Sequence, residues 1–145
     1  MASATILGPV GSSDIELPLF SARVPAGFPS PAQDHMEQKL SLDELLDIDA
    51  PHTYLVRVIG DSMIGVGIYE DDILVVSKAI PAQPGDIVIA ELNGDTFVKR
   101  LSMDGKLIVL RSENPAFAPR LIMEGDELLI WGVVTASIRR HRCHA

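Results

Sequence analysis

Lys99 is the first residue whose position indicates chemistry, because it lies in the apolar, strand-like segment 95–101. Side chains alternate between the two faces of a strand, so Lys99 shares its face with Phe97 and Leu101. An amine among apolar groups loses hydration, which lowers its pKa from the ordinary value of about 10.4. A general base at neutral pH needs a pKa lowered by roughly 3. The alternative is an inward lysine that protects a sheet edge, or one that extends its ammonium group to solvent.

Ser62 is the second such residue, and it follows Gly60 and Asp61 at the end of an apolar run. Further glycines at 65 and 67 favour a tight turn that presents the hydroxyl and nearby backbone N–H groups. Such a turn could hold a nucleophile together with oxyanion donors. The alternative is an ordinary Asp-Ser turn.

Few residues of the chain could act as the base for Ser62. The chain has four histidines, none of which lies in the predicted strand body: His35, His52, His141 and His144. A Ser/His/Asp triad therefore lacks a good base. Ser62 and Lys99 are the one nucleophile and base pair whose members both lie on predicted β framework.

Residues 24–29, Val-Pro-Ala-Gly-Phe-Pro, have the features of a cleavage site. Pro25 and Pro29 fix their own φ and favour extended geometry in the residues before them. Between them, Ala26 and Gly27 place the two smallest side chains at one peptide bond. Proteases generally bind extended substrates, so this bond is a candidate scissile bond. The alternative is a Pro/Gly linker.

The elements that must position these residues are predicted to be strands. Short β-branched and aliphatic runs separated by turn residues are typical of a compact, mainly β unit, and they span 54–59, 73–77, 86–92, 96–101, 106–111 and 128–138. Asn93-Gly94 and Asp104-Gly105 separate three of the runs, and both dipeptides favour type I′ hairpin turns. We therefore expect a three-stranded meander from about 86 to 111.

The segments around this body are predicted to be less regular. Prolines and glycines throughout residues 1–30 leave no room for a regular element of useful length, so we expect an arm that contains the cleavage site. Helix-start patterns at Ser30-Pro31 and at Ser41-Leu42-Asp43-Glu44 predict one or two short helices in a connector over 31–50. A β domain over 51–138 and a basic tail over 139–145 complete the chain.

Charge and composition limit the function classes. Twenty acidic and twelve basic residues give a formal charge of −8, which argues against nucleic acid as the primary ligand and favours a protein or peptide. The single cysteine, Cys143, has no partner for an intramolecular disulfide, which fits a reducing compartment. With His141 and His144 it offers a metal cluster only in a terminus expected to fray, so no metal or cofactor is predicted. Neither a signal peptide nor a membrane-length apolar run is present, so we expect a cytoplasmic protein without membrane contact.

Three segments together resemble the LexA/UmuD family of self-cleaving Ser/Lys peptidases. Gly60-Asp61-Ser62-Met63 is similar to the family's nucleophile motif, residues 96–101 (Thr-Phe-Val-Lys-Arg-Leu) to its lysine strand, and Ala26-Gly27 to its cleavage dipeptide. The separation 99 − 62 = 37 also fits. Four stretches resemble UmuD in particular: residues 17–20, 27–32, 85–90 and 131–134. The somewhat longer leader and the Arg-His-Arg-Cys-His tail depart from the usual UmuD pattern.

The resemblance implies a LexA-like C-terminal peptidase fold of small antiparallel sheets. It implies that Ser62 attacks the carbonyl of Ala26, that neutral Lys99 is the general base, and that the backbone N–H groups of Ser62 and Met63 hold the oxyanion. It also implies a DNA-damage (SOS) protein whose cleavage is stimulated by a RecA filament. Its trimmed homodimer would serve an error-prone translesion polymerase of the UmuC type, a Y-family enzyme.

Only 26 residues precede Gly27, and they contain no helix-turn-helix pattern, so direct sequence-specific DNA binding is not expected. Three alternatives remain. The first is a non-catalytic interaction module that another protease processes. The second is a signal-peptidase-like enzyme that acts on other chains, and the third is a stand-alone regulator of the damage response.

Overall fold

The computed structural model describes the following residues of the chain: 3–9, 11, 15–20, 36–48 and 51–142. In chain order the elements are β1 (Ser3–Pro9), β2 (Glu16–Phe20), β3 (Met36–Ser41), α1 (Leu42–Leu45), β4 (Thr53–Ile59), the 3-10 helix η1 (Ile64–Val66), β5 (Ile73–Ser77), β6 (Ile87–Leu92), β7 (Asp95–Asp104), β8 (Leu107–Arg111), β9 (Arg120–Leu121) and β10 (Leu128–Ile138). The predicted mainly β fold is confirmed, and all six predicted runs are strands.

The chain forms two compact units. A small unit comprises Gly11–Ile48, and a large unit comprises Met1–Val10 and Asp49–Ala145. In the small unit β2 and β3 pair antiparallel. Helix α1 follows, and the backbone N–H of Glu44 donates to the Ser41 hydroxyl at 3.2 Å, so the helix start predicted here is confirmed.

The large unit is built on one eight-stranded sheet in the order β1-β4-β5-β10-β6-β7-β8-β9. The sheet curls so that Ser3 of β1 also pairs with Phe97 of β7. Strands β6, β7 and β8 form the predicted meander. At Gly132 of β10 an added Cβ would lie 2.7 Å from the backbone oxygen of Ser77, so only glycine allows β10 and β5 to approach this closely.

The two hairpin turns of the meander differ. Asn93 and Gly94 have φ of 52° and 90°, and positive φ at both central residues confirms the predicted type I′ turn. The second prediction is wrong in register, because Asp104 pairs with Leu107 and the central residues are therefore Gly105 and Lys106. Of these only Gly105 has a positive φ, of 61°, which is the pattern of a type II′ turn.

The expectation that residues 1–30 lack regular elements is wrong for β1 and β2. Strand β1 pairs antiparallel with β4 from Ser3↔Ile59 to Pro9↔Tyr54, with a register shift between Ile6 and Gly8. The irregularity at Gly8, whose φ is 126°, and the terminal position of Pro9 explain how a strand forms beside two residues that normally interrupt one. The predicted helix start at Ser30-Pro31 lies outside the described residues, and 36–41, within the predicted connector, form strand β3.

Two buried clusters lie on opposite faces of the central strands. One contains Val58, Met63 and Val98, and the other contains Val88, Leu101 and Leu110. Phe97 and Val98, which are neighbours on β7, thus pack in different clusters, as the alternation of a strand requires. Strand β7 is consequently covered on both faces where it carries Lys99.

Candidate active site

The structure brings Ser62 and Lys99 together. The Nζ atom of Lys99 lies 3.1 Å from the Oγ atom of Ser62 across 37 residues of sequence. Both side chains are buried, with 0% of Ser62 and 3% of Lys99 exposed to solvent. A hydroxyl and an amine at hydrogen-bond distance satisfy the geometric requirement for a nucleophile and its base.

Ser62 is positioned by the turn that leaves β4. Gly60 has a φ of 92°, which turns the chain away from the strand. Immediately after Ser62, the Met63 side chain is fully buried in the first core cluster and anchors the backbone. The Met63 carbonyl then accepts hydrogen bonds from the N–H groups of Val66 at 3.2 Å and Ile68 at 3.3 Å.

The segment after β8, residues 112–114, fastens this turn through three hydrogen bonds. The N–H of Glu113 donates to the Ser62 carbonyl at 2.8 Å, and the N–H of Gly65 donates to the Glu113 carbonyl at 2.7 Å. The side-chain amide of Asn114 donates to the carbonyl of Asp61, the residue before Ser62, at 3.0 Å. At Gly65 an added Cβ would lie 2.5 Å from the Glu113 oxygen, so the close approach requires glycine. We call residues 112–114 the clamp.

The environment of Lys99 shifts its protonation equilibrium toward the neutral amine. Burial lowers the pKa of Lys99 from 10.5 to about 8, because the apolar surroundings disfavour the ammonium form. Glu113, the acidic residue of the clamp, forms an ion pair with Arg100 of β7. Its carboxylate charge is thereby balanced by the Arg100 guanidinium.

A cavity of about 200 Å³ opens beside the lysine. Most of its lining side chains are apolar or uncharged, and the full lining is Leu92, Asn93, Asp95, Phe97, Lys99, Leu110 and Arg120. Arg120 at the wall also pairs with Asp126 at 3.1 Å.

Two residues near the amine were missed by the sequence analysis. The Nζ atom of Lys99 lies 2.7 Å from the Oγ atom of Ser112 and 5.9 Å from the centre of the Phe117 ring. Ser112 directly follows Arg111, which pairs with Arg100, so the register of β7 against β8 places it next to Lys99. A correct hairpin register is therefore the signal that could have found it.

The predicted cleavage site and most of the alternative metal cluster cannot be placed in the structure. Ala26 and Gly27 lie outside the described residues, as do Cys143 and His144 of the metal alternative. Within the described ranges, no cluster of three or more His, Cys, Asp or Glu side chains is arranged to hold a metal ion. The helices found there are too short or too polar to cross a membrane.

Comparison with known proteins gives a consistent set of matches. The model of the peptidase S24-like family matches residues 18–135. The SamA protein of Salmonella typhimurium is 47% identical over 125 residues, 86% of each chain. The ImpA protein of Escherichia coli is 39% identical over 135 residues, 92% of this chain and 91% of ImpA. The LexA repressor of Bordetella avium is 42% identical over 132 residues, 91% of this chain but 61% of LexA.

Proposed function

The chain belongs to the peptidase S24-like family, and from this premise we propose that it cleaves itself between Ala26 and Gly27 with Ser62 as nucleophile and Lys99 as general base. The observation that carries the proposal is the 3.1 Å contact between Lys99 Nζ and Ser62 Oγ in a buried site. A pKa of about 8 supports the role of Lys99, because a base must lose its proton near the working pH.

The proposed reaction begins when neutral Lys99 takes the hydroxyl proton of Ser62 and the Oγ atom bonds to the carbonyl carbon of Ala26. The backbone N–H groups of Ser62 and Met63 stabilise the resulting oxyanion, a contribution typically of about 3 to 4 kcal/mol. Lys99 then gives the proton to the Gly27 nitrogen as the peptide bond breaks. Water then attacks the acyl carbon as Lys99 takes one of its protons, and Lys99 returns that proton to the Ser62 Oγ atom as the ester bond breaks, which leaves a carboxyl group on Ala26.

The rate should follow the neutral fraction of Lys99. With a pKa of about 8, roughly one lysine in eleven is neutral at pH 7, whereas nearly all are neutral at pH 9.5. Self-cleavage should therefore accelerate about tenfold between these pH values and then level off. A lysine with its ordinary pKa would instead continue to gain rate beyond pH 10.

The test is mass spectrometry of the purified chain incubated between pH 7 and pH 10. We expect a fragment that begins at Gly27 from the unmodified chain, and none from Ser62→Ala or Lys99→Ala. Lys106→Ala, in the exposed turn after β7, is the matched control and should cleave at the unmodified rate. Equal processing of the Ser62→Ala chain would instead identify an outside protease.

The biological setting that we propose is the SOS response to DNA damage. It rests on the family and on the similarity to SamA, ImpA and LexA. A RecA filament on single-stranded DNA would stimulate the cleavage, and the trimmed homodimer, Gly27–Ala145, would join a UmuC-type polymerase. Adding the filament at pH 7 should raise the cleavage rate, and affinity purification should recover the polymerase with the trimmed chain in preference to the Ser62→Ala chain.

A further inference from the structure

The clamp brings a second hydroxyl to the amine of Lys99. Ser112 Oγ lies 2.7 Å from Lys99 Nζ, a shorter contact than the 3.1 Å to Ser62 Oγ. The backbone next to it is fixed, because the N–H of Glu113 donates to the Ser62 carbonyl and the Glu113 carbonyl accepts from the N–H of Gly65. Ser112 is therefore held in place by the same segment that fastens the nucleophile turn.

We propose that Ser112 is a positioning residue that orients the Lys99 amine toward Ser62. A neutral amine has two N–H groups and one lone pair, and only the lone pair can accept the hydroxyl proton. When one N–H donates to Ser112, rotation about the Cε–Nζ bond is restricted and the lone pair can face Ser62. The Phe117 ring, 5.9 Å from Nζ, covers another side. Ser112 keeps its own proton throughout.

This role rests on the proposed self-cleavage and predicts a particular pH profile. Replacing Ser112 by alanine leaves the amine neutral at high pH but free to rotate, so the limiting rate above pH 9 should fall by about 10- to 100-fold. Ser112 also accepts from the ammonium form, and losing an acceptor disfavours the charged form. The midpoint of the profile should thus move to lower pH.

The experiment compares the cleavage profiles of the unmodified chain, Ser112→Ala and Ser112→Thr from pH 7 to 10. Threonine retains the hydroxyl and should restore the limiting rate to within a few-fold of that of the unmodified chain. Ser102→Ala is the matched control, because Ser102 also accepts from a cation, Arg111 at 3.2 Å, and is half-buried on β7 three residues beyond Lys99. It should leave the profile unchanged. A Ser112→Ala limiting rate within twofold of the unmodified one would overturn the proposal.

A second measurement does not depend on cleavage. In the Ser62→Ala chain, NMR titration of Lys99 should show that adding Ser112→Ala lowers the proton affinity about tenfold, and an unchanged titration overturns the proposal. A midpoint that moves up toward 10.5 also overturns it, because the site has then merely opened to water. If the unmodified chain releases no fragment at any pH, the proposed function is refuted. If the unmodified and Ser112→Ala chains release the fragment at equal rates, only the positioning role is refuted.

Discussion

The buried amine should make the stability of the large unit depend on pH in a direction opposite to that of an ordinary ion-paired lysine. In the unfolded chain Lys99 has its usual pKa of 10.5, whereas burial lowers the pKa to about 8 in the folded chain. Between these two values the unfolded chain binds more protons, so the free energy of unfolding rises with pH. The cost of burying the ammonium group is largest below pH 8 and is relieved as the pH approaches 10.5.

The magnitude follows from the two pKa values. Each pKa unit corresponds to about 1.36 kcal/mol, so the full cost is about 3 kcal/mol, reached at pH values below the folded pKa. Integrating the linkage relation from pH 7 to pH 9.5 relieves about 2 kcal/mol of that cost. Methionine has a similar length and no charge, so a Lys99→Met chain should show none of this rise.

The assay is urea unfolding of Ser62→Ala and of Ser62→Ala/Lys99→Met at pH 7 and pH 9.5. Ser62→Ala prevents cleavage during the measurement, and fluorescence of Trp131, the single tryptophan, reports the large unit because it packs against the first core cluster. Other groups that titrate in this range are common to both chains and cancel in the difference. The measured quantity is the difference in free energy of unfolding between the two chains. If this difference changes by less than about 0.5 kcal/mol between the two pH values, Lys99 is not desolvated and the reasoning is refuted.

Three further predictions concern the surroundings of the site. Gly65→Ala forces a Cβ against the Glu113 carbonyl, 2.5 Å away, so it should cost about 1 to 3 kcal/mol in urea unfolding and slow self-cleavage at least tenfold. Arg139→Gln removes the cationic partner of the buried Asp72, bound at 2.6 and 2.7 Å, and should lower the thermal midpoint at pH 7. Because this guanidinium lowers the pKa of Asp72, the difference in thermal midpoint between the Arg139→Gln and unmodified chains should shrink as the pH falls below about 4 and the carboxylate protonates. Gly94→Ala places a side chain at a φ of 90° and should cost about 1 kcal/mol in urea unfolding.

Matched variants separate these effects from general damage. Gly11→Ala, which has open space around the added atom, should leave cleavage unchanged where Gly65→Ala slows it. Arg142→Gln removes the same charge as Arg139→Gln but should leave the thermal midpoint unchanged, and equal losses would contradict the role of Asp72. Gly94→Asn should retain most of the stability, since asparagine tolerates positive φ; a loss equal to that of alanine would count against the turn argument.

The sheet could be predicted because its strands carry strong local signals. The run over 128–138 follows a turn at residues 124–125, and its predicted bounds match those of β10. The face of Lys99 followed from period-two alternation alone, and the residue is buried as expected. Contact between Lys99 and Ser62 was expected from chemistry and family resemblance, since periodicity contains no information about which strands meet.

The parts that were missed depend on pairing between distant segments. Strand β1 forms because β4 offers it an antiparallel partner, and a local pattern interrupted by Gly8 and Pro9 gave no sign of this. Ser112 lies just beyond the end of β8 and becomes a neighbour of Lys99 only through the register of the hairpin. Pairing with a distant strand can thus make a strand of a segment whose turn-forming residues do not predict one.

The lowered pKa also limits how an activator could accelerate the proposed reaction. Because about one Lys99 in eleven is already neutral at pH 7, making every amine neutral could raise the rate by no more than about elevenfold. Restricting the amine further gains little, since both hydroxyl oxygens, of Ser62 and of Ser112, already lie within hydrogen-bond distance of Nζ. An activation larger than about tenfold must therefore act on the third component, the placement of the Ala26–Gly27 bond against Ser62, because effective molarity is the remaining large term.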